Sequence, residues 1–121
     1  MLPDAGDIAW VNLDPTLGSE QAGRRPALIL TARWYHEQSW RAVICPITSK
    51  DRVWPFNVAL PQGLRTGGIV LVDQVRSIDR TRRIFDIVEK VPEAFLEEVL
   101  GRLSALLGID PNNIVTTVSE S

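Results

Sequence analysis

Apolar positions fall in short runs between turn residues for the first ninety positions and then switch to helical spacing. Ile8-Ala9-Trp10-Val11-Asn12-Leu13, set between Gly6 and Pro15, is rich in residues that suit a pleated strand. Asp14-Pro15-Thr16 ends it, because proline withholds an N–H from the ladder and restricts the residue before it. Pro26 to Thr31 predicts a second strand. Ala42-Val43-Ile44-Cys45-Pro46-Ile47 predicts a third, its proline at the far end, where a bulge or an edge position is expected. Between these two, Ala32 to Gln38 reads as a short helix or an irregular excursion. Phe56, Val58 and Leu60 alternate as a half-buried strand requires, and the continuous run Ile69-Val70-Leu71-Val72 is expected to be the most central strand. Pro61-Gln62-Gly63 and Thr66-Gly67-Gly68 punctuate the loop between them. Asp73-Gln74-Val75-Arg76-Ser77 turns polar, Asp79-Arg80-Thr81-Arg82-Arg83 is a basic turn, and Ile84 to Val88 closes the β part.

From Pro92 to about Leu107 the period changes. Leu96, Val99, Leu100, Leu103, Leu106 and Leu107 recur at three and four and predict one helix with an apolar stripe. Proline at its start, Glu93, Glu97 and Glu98 in its first half, and Gly108 just past its end fit the polarity and capping of a helix. Asp110-Pro111-Asn112-Asn113 has turn chemistry, and Ile114 to Val118 is a further strand or a tail. Five or six short strands and one terminal helix predict a small, strongly curved antiparallel sheet, partly closed into an SH3-like barrel, with the helix packed on it. The 121 residues are expected to form a single domain, 1–121, with a core at about 6–108 and an extension at 109–121.

Composition narrows the chemistry. A single cysteine, Cys45, lies in an apolar run, where burial as a small hydrophobe is its expected state, and His36 is the one histidine. One Cys and one His make no zinc constellation and no spaced Cys/His dyad, so no metal and no cofactor is expected. With no long uncharged apolar run and no signal-peptide pattern at the start, the chain is expected to be cytoplasmic with no membrane partner. The formal net charge is −2, yet positions 24 to 83 carry eleven Lys/Arg against four Asp/Glu, a balance of +7 that leaves −9 for the rest. That asymmetry is either a polyanion-binding surface or uneven placement of solvated charge.

The loop Gly18-Ser19-Glu20-Gln21-Ala22-Gly23-Arg24-Arg25-Pro26 gives the first reading a focus. Two glycines bracket small polar residues, and the run ends in paired arginines where the second strand begins. An arginine at the anchored base of a loop can aim a planar fork at a phosphate. The competing reading is a solvated hairpin loop whose arginines pair with surface carboxylates.

Gly6-Asp7-Ile8-Ala9-Trp10-Val11, Asp14-Pro15, the Gly18–Pro26 loop, Cys45-Pro46-Ile47-Thr48-Ser49, Trp54-Pro55-Phe56 and Asp73-Gln74-Val75-Arg76-Ser77 together resemble, in order and spacing, the MazF/PemK family of toxin endoribonucleases. The likeness runs from about Gly6 to Gly108. It implies the SH3-like fold, a homodimer, metal-independent cleavage of single-stranded RNA at short sequence motifs, a cognate antitoxin, and DNA binding as a complex with that antitoxin. It also implies that the arginine before the proline of the first loop and the threonine after the third strand are the catalytic pair, here Arg25 and Thr48.

The residue chemistry agrees with those roles. Arg25 has a fixed charge and a fork that fits two phosphate oxygens, and is a poor proton acceptor. The Thr48 hydroxyl can donate to a nonbridging oxygen. Glu20 could take a proton if its loop folds over the scissile bond, and Ser19 and Gln74 are hydrogen-bonding candidates. Arg24, Ser49, Lys50, Trp54, Arg76, Arg80, Arg82 and Arg83 are expected RNA contacts. Each has a plainer alternative: Glu20 paired with Arg24, Thr48 ending a strand, Gln74 solvated, Trp54 in the core. The same fold also serves toxins that poison DNA gyrase by binding alone, which would need neither Arg25 nor Thr48, and an inactive relative is a further alternative.

Overall fold

The computed structural model describes residues 2–14, 23–50 and 52–109. It holds seven strands: β1 (Asp7–Asn12), β2 (Arg24–Ile29), β3 (Arg41–Thr48), β4 (Asn57–Ala59), β5 (Ile69–Leu71), β6 (Arg76–Asp79) and β7 (Ile84–Lys90). Three helices accompany them: α1 (Arg33–His36), α2 (Arg80–Arg83) and α3 (Glu93–Leu107). All strand pairings are antiparallel. The sheet runs β4-β5-β3-β2-β1-β7, with β6 as an additional partner of β3. Among the described residues no pairing joins β4 to β7, so the sheet has ends and is not a hydrogen-bonded barrel. The mainly antiparallel sheet with its C-terminal helix is as expected.

The expected centre also moves. β5 is the apolar run Ile69–Leu71, but it has only β4 and β3 as neighbours, whereas β3 pairs with β2, β5 and β6. An uninterrupted apolar run signals burial, and Val70 is buried in the cluster it shares with Phe95 and Val99 of α3 without β5 being central. β5 and β6 run along β3 as two halves of one interrupted partner. Ile47 faces Val70 and Ile44 faces Arg76, so three steps on β3 correspond to six on the other side. The excess is a single 3-10 turn, Val72–Gln74, which lifts Asp73 and Gln74 out of the ladder.

Strand alternation sorts the core into two clusters. Ile8, Leu28, Cys45, Ile47 and Val70 face Phe95 and Val99 of α3, with Leu96 and Leu103 packed at the margin. Ala9, Val11, Ala27, Ile29, Ala42, Ile44 and Ile78 form the second cluster, against which Ile84 and Ile87 pack. β7 reaches that cluster by way of α2, whose one turn is capped by Asp79 accepting from the N–H groups of Thr81 and Arg82. The hydrogen bond from the Thr81 hydroxyl is the chief reason the Asp79 carboxyl lies below its usual pKa. Only part of the predicted apolar stripe of α3 is used. Phe95 and Val99 are buried, while Leu100, Leu106 and Leu107 are exposed. α3 ends as expected, with Gly108 at φ 69° sending its N–H to Ala105 O.

His36 is a core residue that its polarity concealed. It is 1% exposed, its Nδ1–H donates to Pro3 O at 2.7 Å, and its Nε2 lies 2.7 Å from the Thr31 hydroxyl. Cys45 is buried as expected, and burial with the Asp73 carboxylate nearby raises its thiol pKa to about 12. Neither residue is available for chemistry.

Candidate active site

The pairing of β2 with β3 fixes the relation of the two residues expected to act together. Ile29 faces Ile44, Leu28 faces Cys45, and Ala27 faces Pro46. The same register continued by two steps brings Arg25 opposite Thr48, on one face of the sheet. Hydrogen-bonded and non-hydrogen-bonded pairs alternate along an antiparallel ladder. Leu30 N–H bonds Val43 O, so the position of Pro26 opposite Ile47 is one at which β2 should donate. Pro26 has no N–H to give. The Ile47 carbonyl instead accepts from Arg25 Nη1 at 3.3 Å. The proline thus leaves an acceptor vacant on β3, and the neighbouring guanidinium fills it and is fixed one residue from Thr48. Pro26 also keeps Arg25 extended.

Pro46 has a complementary place. Residues 43, 45 and 47 of β3 direct their backbone groups to β2, so those of 46 point to the opposite side, where β6 has ended at Arg76 and β5 has not begun. Pro46 thus lies where β3 passes from β6 to β5.

Thr48 is buried, 6% exposed, and its Oγ1 accepts from Lys50 N–H at 3.2 Å, which leaves the hydroxyl proton to be donated elsewhere. Its backbone is crowded from the β5 side. Gly68 adopts φ 125°, and a Cβ there would lie 2.5 Å from Thr48 O. Only glycine allows β5 to come this close.

Beyond Thr48 opens a cleft of about 450 Å³, lined by Thr48, Lys50, Arg52, Trp54, Asn57, Leu71, Asp73 and Gln74. Trp54 is 48% exposed, and its ring is held in two ways. Its Nε1–H donates to Asp73 Oδ2 at 2.9 Å, and it packs edge-on against Phe56 with centroids 5.7 Å apart. The carbonyl of the next residue, Pro55, accepts from Arg102 of α3, which is paired in turn with Glu98. Asn57 Nδ2 donates to Arg52 O at 3.0 Å.

Of the sequence candidates, Thr48, Lys50, Trp54 and Gln74 line this cleft, Ser49 is exposed at the end of β3, and Arg25 adjoins through Ile47. Ser19 and Glu20 lie outside the described residues. The other arginines are not gathered here. Arg24 stacks on the exposed Phe85 ring at 4.6 Å, and Arg83 donates to the carbonyls of Asn12 and Asp14. Arg80 donates to Ser39 O and His36 O, and Arg82 lies 3.7 Å from Asp79. Arg76 stands opposite Ile44 on β6. Sequence reasoning passed over Arg52, Asn57, Leu71 and Asp73 as lining residues and Gly68 as the residue that admits β5. The Thr66-Gly67-Gly68 signal marked the last of these as a turn and nothing more.

The chain and its fold are similar to those of known proteins. The curated endoribonuclease PemK of Escherichia coli is 44% identical over 108 residues, covering 86% of this chain and 81% of that protein. The endoribonuclease toxin MazF of Escherichia coli K12 is 36% identical over 107 residues, covering 88% and 96%. Among solved structures, MazF from Deinococcus radiodurans superposes with a TM-score of 0.84 at 43% identity, over 90% of this chain and 99% of that one. A MazE–MazF crystal structure from the same organism gives 0.79 at 39% identity, over 91% and 100%. The model of the PemK-like, MazF-like toxins matches residues 4–107. The chain belongs to the PemK-like, MazF-like family of type II toxin–antitoxin toxins.

Proposed function

We propose that this chain is an endoribonuclease toxin that cuts single-stranded RNA without a metal ion, leaving a 2′,3′-cyclic phosphate and a 5′-hydroxyl. The family and the names of its relatives support the reaction class. The observation that carries the mechanism is the Arg25 guanidinium on the carbonyl of Ile47, the residue before Thr48. In this reading the substrate's 2′-OH attacks the adjacent phosphorus and its proton passes to a base, for which Glu20 is the candidate. The 5′-oxygen departs and is protonated. Arg25 offsets charge on the phosphorane, Thr48 donates to a nonbridging oxygen, and Gln74 with Lys50, Ser49 and Trp54 holds the strand.

β7-β1-β2-β3-β6, with α2 joining its two ends, is further read as an SH3-like barrel left open at one seam. The exposed Leu100, Leu106 and Leu107 of α3 favour a homodimer, and a MazE–MazF structure among the neighbours favours a cognate antitoxin for this chain too. RNA as substrate and a lone buried thiol fit the cytoplasm.

The experiment is cleavage of a single-stranded RNA in EDTA, with the end groups identified and the all-deoxy version of the oligonucleotide run beside it. RNA is expected to be cut and DNA to survive. Equal cutting of both would remove the 2′-OH from the mechanism. No cutting of any RNA would leave a binding-only toxin.

A further inference from the structure

We infer that Glu89 of β7 is a positioning residue for the reaction: by holding the β4–β5 loop at Arg65 and Thr66, its carboxylate sets how Gly68 seats against the backbone of Thr48, and so where the Thr48 hydroxyl stands relative to Arg25. The inference rests on the cleavage reading above for the roles of Arg25 and Thr48, and on the fold alone for the tie between Glu89 and Thr48.

The two sides of the candidate site belong to different parts of the sheet. Arg25 is on β2, which is paired with both β1 and β3. The β4–β5 hairpin beside Thr48 meets β3 at two paired positions, Ile47 with Val70 and Thr48 with Ile69. So short a ladder leaves the angle of the hairpin to be set by packing and by side-chain ties. Glu89 supplies such a tie. It stands opposite the buried Ile8 of β1, so its side chain leaves β7 on the face that carries the α3 cluster, where Leu64 of the β4–β5 loop also packs. One carboxylate oxygen accepts from Arg65 N–H at 3.0 Å, and the other accepts from Thr66 N–H and from the Thr66 hydroxyl, each at 2.7 Å. An ionised acceptor strengthens all three bonds, and two of them hold backbone, so they fix the course of the chain and not merely a side chain.

That course ends at Gly68, against the end of β3. Leu60 N–H donates to Gly68 O at 2.9 Å, which closes the loop onto the end of β4. A Cβ on Gly68 would lie 2.5 Å from Thr48 O and 3.1 Å from Ile47 Cγ2, so the loop is seated on these two residues with no slack. Ile47 is also the residue whose carbonyl holds the Arg25 guanidinium. The seat of the loop therefore bears on the backbone of Thr48 and on the support of Arg25 together. A misplacement of about 1 Å in a reacting group costs on the order of 10²-fold in rate, so partial loosening of the seat is enough to be read in the chemical step. Glu89 acts through Thr66 and Gly68 and needs no contact with the reacting atoms.

The test uses the full chain, a single-stranded RNA and its noncleavable 2′-deoxy version, at a temperature where every variant is folded. Glu89→Gln keeps the shape but sets an amide NH₂ against the donors of Arg65 or Thr66, Thr66→Val removes the hydroxyl bond alone, and Thr66→Ser keeps it. In single turnover at saturating RNA, Glu89→Gln is expected to cut about tenfold slower and Thr66→Val about threefold slower, with affinity for the 2′-deoxy strand within about twofold of native. Thr66→Ser is expected to cut at the native rate. The double variant Glu89→Gln/Thr66→Val is expected to be no slower than Glu89→Gln, because both changes act on one tie. Asp79→Ala, which removes the α2 cap and lowers stability away from the site, is expected to cut at the native rate. Native cutting by Glu89→Gln, equal slowing in Asp79→Ala, or independent losses in the double variant overturn the inference. If the native protein cuts no RNA, the cleavage reading fails on its own, and amide exchange decides the tie. Faster exchange at Thr48 and Ile69 in Glu89→Gln than in Asp79→Ala sustains it, and equal exchange in the two variants overturns it.

Discussion

Two basic regions of this molecule, both counted in the positive span of the sequence, have opposite fates in structure. At the α2 corner, Arg80 donates to Ser39 O and His36 O, Arg83 to Asn12 O and Asp14 O, and Arg82 lies beside Asp79. There the guanidinium groups work as brackets for backbone carbonyls. At the cleft, Lys50 and Arg52 are exposed and make no side-chain hydrogen bond or ion pair to another described residue. A cation whose donors are used within the fold adds little to a ligand's binding, whereas one facing open space contributes through counterion release. Charge counted along the chain is therefore an upper bound on charge that RNA can meet.

The sharpest test of this division lies at Arg25, which belongs to both classes by bracketing Ile47 O and adjoining Thr48. Arg25→Ala is expected to slow the single-turnover chemical step by at least roughly 10²–10³, as for the loss of other transition-state donors, with little change in affinity for a 2′-deoxy strand. Arg25→Lys keeps charge but not the fork and is expected to recover little. Thr48→Val is expected to cost somewhat less. A nearly active Arg25→Lys would make Arg25 a bracket of the Arg80 kind.

A mid-sized effect separates the two regions directly. Replacing Lys50 and Arg52 by alanine is expected to weaken RNA binding and lower the slope of log affinity against log salt by about 0.7 for each phosphate no longer neutralised, with thermal stability unchanged. Arg80→Ala is expected to do the reverse. It leaves two carbonyls unserved and lowers stability by about 1–2 kcal/mol, while the salt slope stays as it was. If both sets of replacements change the slope alike, the corner binds RNA after all.

The smallest effect concerns acid. Glu89 of β7 accepts from the N–H groups of Arg65 and Thr66 and from the Thr66 hydroxyl, holding the loop that leads to Gly68. Those bonds, the Arg65 N–H first, hold its carboxyl below the usual carboxylate range. A depressed carboxyl stabilises the fold above its unfolded pKa and loses that contribution as pH falls through the folded value. Stability of the native protein is thus expected to drop below about pH 4.5, and Glu89→Gln to be less stable at pH 7 and less sensitive to acid over that range. Melting curves across pH 2 to 7 would show it.

How much of this was legible beforehand depends on how local the cause is. β1, β2, β3 and α3 follow from periodicity and punctuation, and their residues lie where the pattern placed them to within two positions. β6 did not show, because Arg76-Ser77-Ile78-Asp79 has one apolar residue and is a strand only because β3 offers an edge. The rank of β5 was misjudged because a helix can bury a strand that few strands flank. Of the residues at the candidate site, Arg25 and Thr48 were singled out beforehand through family likeness and the chemistry of phosphate. Asp73 and Asn57 were not, since a short polar residue acquires its role from the turn and the hydrogen bonds that orient it, and neither is written in a neighbouring residue.

The vacant ladder position at Pro26 has one more consequence, for local stability. β3 is secured by donors from both sides through Cys45, but past that point β2 contributes a side-chain guanidinium where a backbone amide would have been. Opening the Ile47–Thr48 end should then cost less than opening Ile44 and Cys45, which belong to the two core clusters and keep their backbone partners on β2. In amide exchange, protection should fall along β3 toward Thr48, so that the strand end beside the cleft can yield while the sheet behind it stays shut.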